Sequence, residues 1–306
     1  MNAFLESMVK KKRRQFDELC AGRNIPPAVF EGAVEERDIP YLPDGNKAHR
    51  LDLYYPYTLV KPPPVIINIH GGGLIMGSKE FNRHFCLNLC KLGFLVFSVE
   101  YRLCPETTVF GQLQDIYRAM NYIDMLLPQL GAQPGRAYMV GDSAGAFLAL
   151  YASAIQRNPQ LAKAAGVRPS YLEIEALGLI SGMFYTTAFD SIGLFMPELL
   201  YGKGWRKHPF RPYLKPDHPL VSQVLPPTLL ITSKADNLRR YTYRLEQARR
   251  NYGPYTILDC GDDPSLTHAF PVFDPELPQS RRVLSSISSF FLMPEWRAQI
   301  IPTKPT

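Results

Sequence analysis

A serine lies in the pattern Gly141-Asp142-Ser143-Ala144-Gly145, between an apolar run and an alanine-rich stretch. The apolar run Ala137–Val140 predicts a strand, and the stretch from Ser143 to about Arg157 predicts a helix. A serine at such a sharp strand-to-helix turn projects its hydroxyl above the end of the sheet, where it can act as a nucleophile. We therefore predict a catalytic role for Ser143. The alternative is a serine that only caps a helix after a tight turn.

Three consecutive glycines, Gly71-Gly72-Gly73, follow His70 directly after the apolar run Val65–Ile69. Because glycine tolerates unusual backbone angles, such a loop can turn its N–H groups into a cavity. The amides of Gly72, Gly73 and Ala144 could then hold an oxyanion, and each such donor can change the rate by roughly 10²–10³. A phosphate-binding loop is the alternative, but neither a P-loop lysine nor the spacing G-x-G-x-x-G accompanies these glycines.

A nucleophilic serine needs a base and an acid that orients the base, and in this architecture both follow the serine in the chain. Three histidines follow Ser143, and two of them, His208 and His218, each stand beside a proline. The third, His268, lies in a loop after the predicted strand Tyr255–Leu258. This position predicts His268 as the base.

The orienting acid should end a strand that precedes the histidine. Asp236 meets this condition, because it comes just past the predicted strand Thr228–Thr232. Asp259, Asp262 and Asp263 are rivals, but they lie on the histidine's own loop, where an acid would rather shape the turn. We predict Asp236 as the acid.

Strands alternate with helices along most of the chain, which is typical of a parallel sheet covered by helices on both faces. The predicted strands are Val34–Tyr41, His49–Tyr55, Val65–Ile69, Phe94–Val99, Ala137–Val140, Ala176–Ile180, Thr228–Thr232 and Tyr255–Leu258. The predicted helices are 3–20, 79–92, 113–130, 143–157, 238–252 and 281–292. The opening pair of strands predicts an antiparallel edge.

A long segment rich in proline and aromatic residues separates the predicted strands that end at Ile180 and begin at Thr228. A structureless loop of that length is unusual in a compact domain, so we predict a lid or cap there. The expected organisation is an N-terminal cap helix in residues 1–34, followed by one domain in residues 35–306 with a cap insertion at about 183–224.

The 306 residues are 46% hydrophobic and 20% charged, which excludes disordered, collagen-like and coiled-coil proteins. A net charge of +6 is mild for this length and argues against nucleic-acid binding. The basic run Lys10–Arg14 is interpreted as a solvated helix face, with contact to a membrane surface as the alternative. No apolar run is long enough to span a bilayer, and the five cysteines form no CxxC pair, so we expect a cytoplasmic protein.

Several motifs together resemble the hormone-sensitive-lipase-like carboxylesterases of the α/β-hydrolase fold. They are His70-Gly71-Gly72-Gly73 with Gly77-Ser78, the stretch Glu100–Glu106, Gly141–Gly145, Asp236, and His268-Ala269-Phe270. The resemblance covers roughly residues 35–295. It implies a mostly parallel central sheet flanked by helices, with a helical cap. One departure is Ala146, which stands where the family usually has a glycine.

The resemblance implies that Ser143, His268 and Asp236 form a catalytic triad beside an oxyanion hole made by the amides of Gly72, Gly73 and Ala144. The implied reaction is hydrolysis of short-chain, acetyl-like acyl esters through an acyl-enzyme, without a metal or organic cofactor. The expected partner is a small-molecule ester, with no nucleic acid and no membrane insertion. A homodimer stays open.

The cap is expected to set the substrate. The side chains expected to line an apolar acyl pocket are Leu74, Ile75, Phe184, Tyr185, Phe195, Met196 and Trp205. The alternative is that these aromatics simply pack the cap onto the sheet. Two other functions stay open: an amidase or arylformamidase with the same triad, and a catalytically silent ligand-binding receptor.

Overall fold

A computed structural model describes residues 3–21 and 25–293 of the chain. Its strands are β1 (Ala33–Pro40), β2 (Arg50–Pro56), β3 (Val65–Ile69), β4 (Leu95–Val99), β5 (Arg136–Asp142), β6 (Glu173–Ile180), β7 (Thr228–Thr232) and β8 (Tyr255–Asp259). They form one eight-stranded sheet in the order β1-β2-β4-β3-β5-β6-β7-β8. Residues 1–2, 22–24 and 294–306 of the predicted ranges 1–34 and 35–306 lie outside the described residues.

The sheet is mostly parallel, with an antiparallel edge. Strand β2 runs antiparallel to both β1 and β4, whereas β4, β3, β5, β6, β7 and β8 pair in parallel. Every residue of β3, β4 and β7 is buried, as expected for parallel strands covered on both faces. The predicted arrangement of the sheet is confirmed.

Helices flank the sheet on both sides. They are α1 (Ala3–Ala21), α2 (Arg83–Cys90), α3 (Val109–Leu126), α4 (Ala144–Gln156), α5 (Pro159–Ala165), α6 (Ser191–Phe195), α7 (Pro197–Tyr201), α8 (Pro219–Ser222), α9 (Arg239–Arg249), α10 (Phe270–Phe273) and α11 (Pro278–Leu292). Single 3₁₀ turns lie at Pro27–Val29, Lys79–Asn82, Trp205–Lys207 and Arg211–Tyr213. The predicted helix 79–92 therefore begins as a 3₁₀ turn, and α3 begins four residues before the predicted position.

Neighbouring residues of β3 supply opposite faces of the sheet, as the two-residue period of a strand requires. Ile67 and Ile69 belong to one buried apolar cluster, which also contains residues of α3 and α4. Ile66 belongs to the other cluster, with residues of α2 and α11. The alternation explains why a run of five buried residues is needed here.

The insertion between β6 and β7 contains α6, α7 and α8, each only four or five residues long. A ring stack joins it to α3, and a hydrogen bond joins it to α4. The ring of His208 stacks on Phe110 at 4.3 Å, and the Tyr151 hydroxyl donates to the carbonyl of Tyr213 at 2.7 Å. Within the described residues, no helix has both the length and the apolar character needed to cross a bilayer.

Candidate active site

Ser143 lies at the turn between β5 and α4, which end and begin at the residues on either side of it. Its backbone angles of φ 52° and ψ −114° are a sparsely populated combination for a residue with a side chain. Two hydrogen bonds hold the turn: its amide donates to the Ile180 carbonyl at 2.8 Å, and its carbonyl accepts from the Met183 amide at 3.0 Å. These hydrogen bonds thus hold Ser143 in its strained backbone conformation.

The two glycines of the serine pattern are required by close backbone packing. A Cβ on Gly145 would lie 2.0 Å from the carbonyl oxygen of Ile69, and a Cβ on Gly141 would lie 2.5 Å from the carbonyl carbon of Gly145. Strand β3, the turn Gly141–Gly145 around Ser143 (the elbow) and α4 can therefore meet only where these side chains are absent. This contact brings the glycine loop that follows β3 beside Ser143.

The structure brings together the three side chains predicted as a triad. His268 Nε2 lies 2.9 Å from Ser143 Oγ, and His268 Nδ1 lies 2.8 Å from Asp236 Oδ1. With the Nδ1 proton directed at Asp236, Nε2 is left to accept the hydroxyl proton of the serine. The arrangement can therefore generate a nucleophilic oxygen at Ser143.

Asp236 is held in a buried and hydrogen-bonded position just after β7. Its side chain is fully buried, and it accepts from the Thr232 hydroxyl at 2.9 Å and from the Leu238 amide at 2.9 Å. Burial by itself would raise the pKa of Asp236, but the hydrogen bond and charge of His268 hold that pKa below its ordinary value. The carboxylate therefore stays ionised and orients the imidazole.

The loop that carries His268 is fastened to β6 and β7 on either side of the histidine. The Ala269 amide donates to Ser181 Oγ at 3.0 Å, and the Ser233 hydroxyl donates to the carbonyl of Leu266 at 2.5 Å. Ala269 itself has a φ of 53°, a left-handed conformation that is uncommon for alanine. These contacts place the imidazole over the end of the sheet.

The glycine loop offers free amides beside the serine. Gly72 and Gly73 have φ values of 114° and 62°, so the chain reverses direction in a left-handed conformation. Among the described residues, no acceptor is found for the amides of Gly72, Gly73 or Ala144. Unpaired amides at the N-terminus of α4 and in this loop are suited to hold a negatively charged oxygen.

A buried polar chain that the sequence motifs do not reveal supports the glycine loop. Asp142 accepts from the Gly71 amide at 3.0 Å and from Asn82 Nδ2 at 2.8 Å, and Asn82 also donates to Asn68 Oδ1 at 3.2 Å. Burial raises the pKa of Asp142 despite the hydrogen bond from Asn82. The signal that could have revealed the chain is Asn68, a polar residue in the otherwise apolar strand β3.

His218 and the three rival acids have partners outside the triad. His218 accepts from the Leu220 amide at the start of α8, at 3.2 Å. Asp259 binds Arg239 at 2.6 Å, and Asp263 accepts from Ser265 at 2.7 Å. A third acid, Asp262, lies 3.6 Å from Lys234.

The side chains expected in an acyl pocket differ in their burial. Leu74, Ile75, Phe184 and Tyr185 are buried, and Met196 and Trp205 are half-buried. Phe195 is 63% exposed at the end of α6, a helix that buries none of its residues. The place of Phe195 in an apolar lining therefore stays a prediction.

An eight-stranded, mostly parallel sheet with a serine at a strained strand-to-helix turn defines the class of α/β hydrolases. A family profile described as "alpha/beta hydrolase fold" matches residues 66–270 of the 306. The chain belongs to this family, and its resemblance to the hormone-sensitive-lipase-like members is confirmed.

Individual relatives match this chain to different extents. Acetyl-hydrolase of Streptomyces hygroscopicus is 29% identical over 236 residues, which are 74% of this chain and 74% of that protein. Non-reducing polyketide synthase pkbA of Emericella nidulans is 40% identical over 109 residues, so the match spans 32% of this chain and only 4% of the synthase. The crystal structure of esterase B from Lactobacillus rhamnosis is similar with a TM-score of 0.83 and 25% identity, covering 96% of this chain and 97% of that one.

Proposed function

We propose that this chain is a serine carboxylesterase that hydrolyses short-chain, acetyl-like acyl esters through Ser143, His268 and Asp236. The observation that carries the proposal is the unbroken row of hydrogen bonds from Asp236 through His268 to Ser143 Oγ, of 2.8 and 2.9 Å. The similarity to an acetyl-hydrolase over 74% of both chains supports a small acyl ester as substrate.

The reaction follows from this geometry in two halves. His268 Nε2 takes the hydroxyl proton while Ser143 Oγ attacks the ester carbonyl carbon. The amides of Gly72, Gly73 and Ala144 hold the negative oxygen of the tetrahedral intermediate. The alcohol leaves with the proton from His268, and water then cleaves the acyl-enzyme by the same route.

We also propose that α1 and the insertion of about residues 183–224 form the cap of this site. Phe184 and Tyr185 come directly after Met183, whose amide donates to the Ser143 carbonyl at 3.0 Å. Both rings are buried, and we infer that bulky rings in this segment leave room for a short acyl chain rather than a long one. The assignment predicts a limit on acyl length.

A hydrolysis panel tests the proposed activity. We expect p-nitrophenyl esters from acetyl to hexanoyl to be turned over, with rates that decline toward dodecanoyl. Ser143→Ala should lose nearly all turnover while it stays folded, since it removes one oxygen, and Asp236→Asn should lower kcat by about 10⁴ through the wrong imidazole tautomer. Rates that keep rising through dodecanoyl would contradict the short-chain assignment.

Two further measurements distinguish the proposed esterase from an arylformamidase and from a ligand-binding receptor. Faster cleavage of formyl-kynurenine than of p-nitrophenyl acetate would favour an arylformamidase. A fluorophosphonate should label the wild-type protein at Ser143 and leave Ser143→Ala unlabelled. An unlabelled wild-type protein that still binds small esters would instead favour a receptor.

We propose a cytoplasmic location, which the free thiols of Cys86, Cys90 and Cys104 in the core support. Fractionation of cells expressing the tagged chain tests it. The homodimer stays a prediction, and sedimentation at micromolar concentration would measure it.

A further inference from the structure

The basic run Lys10–Arg14 on α1 does not behave as a uniform solvated face. Lys10, Lys11, Lys12 and Arg14 are exposed, as expected for such a face. Arg13 differs, because its side chain is only 28% exposed and is directed at the body of the protein. The expectation that the whole run is solvated is therefore wrong at this one residue.

Arg13 binds two segments of the hydrolase domain at once. Its Nε donates to the Ile75 carbonyl at 2.6 Å, and its Nη2 donates to the Cys104 carbonyl at 2.9 Å. Its Nη1 and Nη2 also donate to the two carboxylate oxygens of Glu106 at 2.6 and 2.7 Å. A planar guanidinium can make all of these bonds together, whereas a lysine ammonium cannot.

The loop held by Arg13 is strained. Leu74 has a φ of 69°, directly after the left-handed Gly72 and Gly73. A residue with a side chain in this region is energetically unfavourable and persists only where its surroundings hold it in place. The free amides of Gly72 and Gly73 therefore depend on the contacts that hold the end of the loop.

Those contacts lie at two successive carbonyls. The Leu74 carbonyl accepts from the Cys104 amide at 2.9 Å and from Gln112 Nε2 at 2.9 Å. The Ile75 carbonyl accepts from Arg13, which thus supplies a restraint that comes from outside the sheet and its flanking loops. Helix α1 therefore contacts the end of the glycine loop through the side chain of Arg13.

We propose that Arg13 is a positioning residue for the oxyanion hole, which it holds in shape by binding the Ile75 carbonyl while Glu106 and the Cys104 carbonyl fix the guanidinium. The inference rests on the proposed esterase function. Its consequence is that α1 influences the chemical step indirectly, through the shape of the glycine loop. Loss of the hydrogen bond from Arg13 to the Ile75 carbonyl should lower kcat, because a displaced amide donor fails to stabilise the transition state.

Arg13→Ala and Arg13→Lys test this role, with Lys12→Ala as the matched control on the exposed side of the same helix turn. We expect Arg13→Ala to lower kcat for p-nitrophenyl butyrate by roughly 10- to 100-fold with little change in KM, since small misplacements near a reacting centre have effects of this size. Arg13→Lys keeps the charge but not the fork, and its loss should be intermediate. Lys12→Ala should match the wild type.

The rate is expressed per active site, counted by fluorophosphonate labelling, so that misfolded protein does not enter the comparison. A merely structural role for Arg13 would lower the number of labelled sites and leave kcat per site unchanged, which would overturn the proposal. Affinity for a trifluoromethyl ketone, which forms an oxyanion on the serine, should fall in parallel with kcat. An unchanged affinity would likewise contradict the inference.

Failure of this inference and failure of the proposed function give different results. If the wild-type protein neither hydrolyses the esters nor takes the label, the esterase assignment itself is wrong. If wild type, Lys12→Ala and Arg13→Ala all turn over equally per site, the esterase assignment stands and only the role of Arg13 is wrong.

Discussion

Around Ser143 backbone packs directly against backbone, whereas the insertion between β6 and β7 also contacts the rest of the molecule through many side chains. At the elbow, a single added methyl group on Gly145 would overlap the Ile69 carbonyl oxygen at 2.0 Å. In the insertion, rings and ion pairs make the contacts, and Phe189 is 97% exposed. The elbow therefore tolerates almost no change, while exposed positions of the insertion such as Phe189 can vary.

The largest effect that tests this contrast is expected from Gly145→Ala. The new Cβ would meet the backbone of β3, which cannot retreat without disturbing the sheet. We expect destabilisation at or above the upper end of the ~1–3 kcal/mol typical of overpacking, together with loss of hydrolysis. Urea unfolding and the ester assay measure the two effects.

Ala146→Gly is the matched control for Gly145→Ala, one residue further along α4. Ala146 is buried, so removing its methyl group should cost about 1 kcal/mol of helix propensity and about 1 kcal/mol of lost burial, while activity is retained. A Gly145→Ala protein as stable and active as this control would show that the elbow is less tightly packed than the contrast requires.

Two phenylalanines of the insertion are expected to affect hydrolysis less than Gly145→Ala does. Phe184 is fully buried, so Phe184→Ala should cost about 3–5 kcal/mol and extend the range of acyl chains that are accepted. Phe195 is 63% exposed, so Phe195→Ala should change the free energy of unfolding by less than about 0.5 kcal/mol. Thermal unfolding and the acyl panel compare the pair. If the two variants had equal effects, side-chain exposure would not distinguish the residues that pack the insertion from those that face solvent.

The same contrast decides how much of the molecule could be predicted from sequence. The elbow and the sheet carry local signals: β3 is a short β-branched run, and the glycines at 141 and 145 have a fixed spacing around the serine. Backbone packing of this kind depends on few residue types, so the predicted strands and the meeting of Ser143 with His268 could be read from a pattern.

The insertion and the contacts of α1 carry no such signal. Helices α6, α7 and α8 are too short to show a helical period, so the sequence indicated a structured segment but not its elements. The inward turn of Arg13 depends on Glu106, far away in the chain, and its four neighbours in the basic run face solvent. Long-range side-chain pairing is set by tertiary structure, which composition and spacing do not contain.

The smallest effect concerns Asp190, which fastens the insertion at the start of α6. One carboxylate oxygen accepts from the amides of Ile192 and Gly193 at 3.0 and 3.1 Å, and the other binds Arg240 at 2.6 Å and the Tyr241 hydroxyl. Burial would raise the pKa of Asp190, but these hydrogen bonds bring that pKa below its ordinary value of 3.8.

Asp190→Ala should therefore cost about 0.5–2 kcal/mol at pH 7, the usual range for a lost N-cap. Because the native pKa is depressed, the carboxylate's contribution is fully present above the ordinary value of 3.8 and is lost as the pH falls through the lower native value. Urea unfolding at pH 7, 5 and 3 should show a constant difference from wild type that shrinks only at pH 3. Asp262→Ala, which removes an exposed partner of Lys234, should change stability by less than about 0.5 kcal/mol at each pH. A gap for Asp190→Ala that already closes between pH 7 and 5 would mean that its carboxylate is not held in the ionised form, and that side-chain charge does not fasten the insertion.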